Sequence, residues 1–85
     1  MSSKFTYIPD EIYFLCILHN VGATNLDRAL TLEEIVRWTA TDPSKAEENL
    51  TKLIENGYVG VSEIFGVKKY FITIEGIRKV LSIYS

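Results

Sequence analysis

Only one cysteine, Cys16, and one histidine, His19, occur in the 85 residues. A single cysteine excludes an internal disulfide framework and a cysteine-rich zinc site, and a single histidine has no companion with which to hold a metal. Long apolar runs are missing too. Residues 12–18 (Ile-Tyr-Phe-Leu-Cys-Ile-Leu) fall far short of the ~20 residues that span a bilayer, and they follow directly on Asp10 and Glu11. A signal peptide's basic start is absent, Lys4 being its one candidate. A cytoplasmic chain that engages no membrane is therefore expected. Ser62 and Glu63 have no histidine at hand, and the other carboxylates are dispersed over helix surfaces, so no enzyme is expected. Gly57, Gly60, Gly66 and Gly76 match no phosphate-cradling spacing and read as turns or close packing. No metal, cofactor or small-molecule ligand is anticipated.

Positive charge is also scarce. Nine Lys and Arg stand against eleven Asp and Glu, a net charge of −2. That weighs against nucleic acid only modestly, because what matters is the contacting face within a Debye length of roughly 8 Å. What the sequence has in quantity is apolar residues, 47% of the chain with mean hydropathy +0.10. Without repeats, low-complexity segments or internal linkers, residues 1–85 read as one domain, with residues 1–8 as a flexible arm. Area scaling has a chain of this size bury roughly 64% of its unfolded surface. The apolar excess then points to self-association.

Pro9 and Asp10 open a helix that runs to about Asn20, Pro being suited to a first turn. Its apolar residues surround the axis, which demands burial on more than one side; the second side is assigned to another subunit, through Phe14 and Leu18. Residues 20–30 read as loop with a brief strand at 29–30. Thr31-Leu-Glu-Glu34 forms a capping box, and Leu32, Ile35, Val36 and Thr39 give the next helix one buried face. Asp42 and Pro43 start a third helix whose inward stripe is Ala46, Leu50, Leu53 and Ile54. Asn56-Gly57 ends it, glycine taking the left-handed position. Residues 58–64 and 68–73 read as a hairpin turning at Phe65-Gly66, with Phe71 facing outward. Thr73 caps a last helix with Ile74, Ile77, Val80, Leu81 and Tyr84 inward and Ile83 free for a partner.

In this order the chain resembles the winged helix-turn-helix family of small bacterial and archaeal transcription regulators. Residues 31–39, the turn and residues 43–53 carry the resemblance, together with "LIENGYV" (53–59) and "YFITIEG" (70–76). It implies an α+β fold: a three-helix core, a β-hairpin wing and a C-terminal helix. It also implies double-stranded DNA as partner, with the third helix in the major groove and the wing on the backbone. Carried over residue by residue, the groove-facing set is Ser44, Lys45, Glu48, Asn49 and Lys52. Asn49 is suited to adenine, Lys45 to guanine or phosphate, and Lys52 to phosphate. Lys68 and Lys69 lie on the wing, and Arg37 and Thr41 are further phosphate candidates. Glu48 departs from the basic or polar residue usual there; a solvated pair with Lys52 at i, i+4 is the preferred account, contact with cytosine N4 the other.

The resulting expectation is a homodimeric transcription regulator whose interface uses Phe14, Leu18 and Ile83. A minimal, isoleucine-rich regulator of this kind suits an archaeon, or one of its viruses or plasmids. The alternative is a protein-binding winged helix that docks through Trp38, Phe71 and an acidic third helix. Cys16 reads as a buried, inert thiol and His19 as a helix-end residue favoured by the C-terminal dipole.

Overall fold

The computed structural model describes residues 10–83. The expected arm, the place of Pro9 in the first turn and that of Tyr84 on the last helix lie outside the described residues. Four helices are described: α1 (Asp10–Asn20), α2 (Leu32–Thr39), α3 (Pro43–Glu55) and α4 (Ile74–Ile83). Three strands, β1 (Leu30–Thr31), β2 (Val59–Ile64) and β3 (Val67–Ile72), make an antiparallel sheet in the order β1-β3-β2. A single 3-10 turn, Leu26–Arg28, precedes β1, and the Asn25 side chain caps it by accepting from the Arg28 amide.

The helix boundaries follow from local chemistry. Thr31 and Glu34 cap α2 reciprocally: the Glu34 amide donates to Thr31 Oγ1 (3.2 Å) and the Thr31 amide to Glu34 Oε1 (2.9 Å). α2 ends at Ala40, which adopts a left-handed φ of 56°. Asp42 caps α3 by accepting from the Lys45 amide at 2.9 Å, with Pro43 in the first turn. At the other end the Tyr58 and Gly57 amides donate back to the carbonyls of Leu53 and Ile54, and Gly57 has φ 79°. That is the Schellman arrangement, which satisfies carbonyls the helix leaves without partners. The Thr73 hydroxyl caps α4 by accepting from the Gly76 amide, and it donates to the Gly57 carbonyl. One side chain thus ties the ends of α3 and α4 together.

Burial explains why α1 is apolar nearly all round. α2, α3, α4 and β3 all pack against it, and Phe14, Leu15 and Leu18 are each at most 1% exposed. The second buried side of this helix is therefore supplied by the chain's own elements. Phe14 and Leu18 belong to the core with Leu15, Leu50, Leu53, Ile72 and Val80. Assigning them to a subunit interface is corrected on that ground.

On α4 the inward face is Gly76, Ile77 and Val80, whereas Ile74 (70% exposed) and Leu81 (53%) lie outward. Gly76 causes this placement, since any side chain there would overlap the Tyr58 carbonyl oxygen and the Ile72 side chain. The helix is drawn in on its glycine, and the apolar residues to either side rotate away.

β2 and β3 pair from Val59↔Ile72 to Ile64↔Val67, leaving Phe65 and Gly66 as a two-residue connection. Both have positive φ, 54° and 79°, as the primed turns that match strand twist require. Glycine meets that demand freely, whereas phenylalanine in a left-handed conformation costs about 1–2 kcal/mol. Along the hairpin, Phe71 faces outward as expected, and its ring lies over Gly60 opposite, occupying the space a Cβ would need. The ring is half-buried by its own sheet. Among the described residues no helix is long and apolar enough to cross a membrane.

Candidate nucleic-acid interface

α3 presents two unlike sides. Ala46, Leu50 and Leu53 are fully buried, while Ser44, Lys45, Glu47, Glu48, Thr51, Lys52 and Glu55 are exposed. At ~100° per residue the centre of the exposed side is held by Ser44, Glu48, Thr51 and Glu55, flanked by Lys52. The hairpin stands beside it. Between the two runs an open groove of about 400 Å³, lined by Ser44, Glu47, Glu48 and Thr51 on α3 and by Val61, Lys68 and Tyr70 on the hairpin.

Tyr70 forms the groove's inner wall and is 6% exposed. Burial first, and the Glu47 carboxylate second, push its phenol above the ordinary value of 10.0. The groove is thus acidic on its helix side and carries one ammonium, Lys68, on its hairpin side.

The nine DNA-contact candidates do not share one surface. Asn49 is 3% exposed, and its side-chain amide donates to the Lys45 carbonyl at 3.0 Å. It lies about 70° from the centre of the buried stripe, within the apolar sector a core-facing helix covers. The pairing of Asn49 with adenine is corrected: its donors face the helix's own backbone. Lys45 is open to solvent, but its ammonium leans to Asp10 of α1 at 3.4 Å, both side chains more than half exposed. Ser44, Glu48 and Lys52 are exposed on α3, and Arg37 is exposed on α2. Thr41 is half-buried, and its hydroxyl meets that of Thr39 at 2.8 Å. No ion pair joins Glu48 to Lys52 among the described residues, where the bridges found are Lys45–Asp10 and Arg78–Glu75.

Lys68 and Lys69 are both exposed but point to opposite faces of the hairpin. Lys68 shares the groove with Tyr70, whereas Lys69 borders an apolar hollow with Leu26, Ser62, Ile64, Phe65 and Val67. Thr51 and Phe65 escaped the sequence reading. Thr51 was legible, being seven residues from Ser44 and three from Glu48 on one helical face. Phe65 read as a turn residue and nothing more.

Of the interface candidates, Ile83 alone stays at the surface, 38% exposed. Trp38, on α2, is 57% exposed. Cys16 is half-buried, and His19 closes α1 with its Nδ1 buried and unpartnered among the described residues. No cluster of three His, Cys, Asp or Glu side chains that could hold a metal occurs among the described residues.

No protein-family model matches this chain, and no curated protein does either. Solved structures do. A DNA-binding TubR fragment from Clostridium botulinum superposes with a TM-score of 0.78 at 24% identity, covering 93% of this chain and 99% of its own. BpsR of Bordetella bronchiseptica gives 0.77 at 20% identity over 94% of this chain, and a MarR family protein from Bacillus stearothermophilus gives 0.74 at 17% over 96%. The chain has the winged helix-turn-helix fold. It spans 54% of the length of BpsR and of the MarR family protein. Within the winged helix, α2 and α3 are the helix-turn-helix, the β2–β3 hairpin is the wing, and α4 closes the body against α1 and β3.

Proposed function

We propose that this winged helix binds double-stranded DNA sequence-specifically and regulates transcription as a homodimer. One observation carries the reading: the outer side of α3 is open along its length and stands beside a projecting hairpin. A helix so presented matches the way a recognition helix enters the ~12 Å major groove. The similarity to a TubR fragment that binds DNA, and to BpsR, whose DNA binding 6-hydroxynicotinic acid regulates, supports it.

In this reading Ser44 and Glu48 meet base edges, Glu48 accepting from a cytosine amino group. Lys45 meets guanine or phosphate, Lys52, Lys68, Lys69 and Arg37 meet phosphates, and Thr41 adds a hydroxyl. The acidic centre of α3 then serves selectivity, and affinity comes from the flanking cations and from pairing two copies. Ile83 at the end of α4 is assigned to the subunit contact.

Duplex binding measured against salt tests the reading. Log affinity falls linearly with log salt at about −0.9 per phosphate neutralised. A double variant, Lys45→Ala with Lys68→Ala, flattens the slope by nearly two. A second reading, a module that binds protein alone, draws on the exposed Trp38 and the acidic α3. Absence of binding to any duplex at low salt would select it.

A further inference from the structure

The tip of the wing carries no charge. Its four residues are Ile64, Phe65, Gly66 and Val67, and the lysines stand three and four residues behind Phe65. Phe65 is 100% exposed, with Ile64 at 62% and Val67 at 48%. It also holds a φ of 54°, a conformation that asparagine or glycine adopts far more readily. The turn thus keeps a large aromatic ring in full contact with water on a backbone ill suited to it.

We propose that Phe65 is a wedge that enters the minor groove and partly unstacks one base step, kinking the duplex toward its major groove. The proposal rests on the DNA-binding reading above. The minor groove, ~6 Å wide, is too narrow for a two-stranded ribbon but admits one ring. Apolar side chains inserted in this way kink DNA.

Lys68 and Lys69 fit the same geometry. Paired with Glu63 and Ser62 across the ribbon, they stand about 7–10 Å behind the tip at ~3.3 Å per residue, on opposite faces, so each faces one phosphate wall of the groove. Ile64 and Val67 meet the sugars between. A second copy of this chain fits the tip poorly as occupant. Phe65 offers about 200 Å², against the ~800 Å² per partner of a stable association.

The test uses a duplex chosen by selection from a random pool, with 2-aminopurine placed in turn at each flanking step and dyes at both ends. Wild type is expected to brighten 2-aminopurine at one step on each side and to shorten the end-to-end distance. Phe65→Gly, which relaxes the turn and so keeps the fold, is expected to abolish both signals. Its affinity falls about tenfold, within the worth of one base–aromatic stack, with an unchanged salt slope. Phe65→Trp restores the signals. The wedge is overturned, and the DNA reading left standing, if wild type binds the duplex without brightening any step and Phe65→Gly binds equally well. Loss of solution mass in Phe65→Gly without any fluorescence change overturns it in favour of a subunit contact. Failure of wild type to bind any duplex overturns both.

Discussion

A methyl group at Gly76 would overlap the Tyr58 carbonyl oxygen, which already accepts from the Thr73 amide at 2.9 Å. Gly76→Ala must therefore push α4 off the sheet, and about 2 kcal/mol of stability is expected to go with it in urea unfolding. Asn49 is read by the same measurement. Its amide is buried on the Lys45 carbonyl, so Asn49→Ala should cost about 1–2 kcal/mol while the preferred DNA sequence stays the same. Glu48→Ala should do the reverse, keeping stability and losing roughly 1–3 kcal/mol of discrimination at one base pair in competition binding. Tyr70 adds a pH dependence. Its phenol titrates higher in the folded chain than in the unfolded one, because burial and then Glu47 disfavour the phenolate. Its contribution is complete below pH 10 and fades as pH rises through the folded value. The urea midpoint should fall in that alkaline range, and Tyr70→Phe should make the fall shallower.

At the scale of elements, sequence legibility follows the range of the interaction. The capping box at Thr31, the Asp42–Pro43 start and the Gly57 stop are local hydrogen-bond arrangements, and each was readable from four or five residues. The hairpin and its turn were readable for the same reason. α1 was not, because an all-round apolar helix states only that it is surrounded. Whether by a second chain or by α2, α3, α4 and β3 depends on tertiary packing, and Phe14 and Leu18 went to the wrong side of that choice. Ile74 and Leu81 failed similarly, since Gly76, not the apolar stripe, decides how α4 docks. In the candidate site the open flank of α3 was legible from its 3.6-residue period. The burial of Asn49 was not, because it lies at the margin of the stripe, where its neighbours decide. Phe14→Ala should accordingly destabilise the folded chain by about 3–5 kcal/mol, a loss read as a lowered urea midpoint.

For the whole molecule the difficulty is charge. If the proposed function holds, a chain of net charge −2 meets a polyanion with its cations arranged around the acidic centre of α3 instead of on it. One copy then has few phosphate contacts, and in the proposed function a second copy supplies the missing affinity. Ile83→Asp is expected to reduce the solution mass to that of one chain and to weaken DNA binding, with the fold unchanged by circular dichroism. The most direct test of the central claim, that the open side of α3 enters DNA, is a footprint of the wild-type protein on a selected duplex, repeated with Lys52→Ala and Glu48→Ala. The account predicts major-groove protection in two half-sites about one helical turn apart, with Glu48→Ala relaxing selectivity within them and Lys52→Ala weakening their occupancy. Protection that is absent, or unaltered by either substitution, would contradict it.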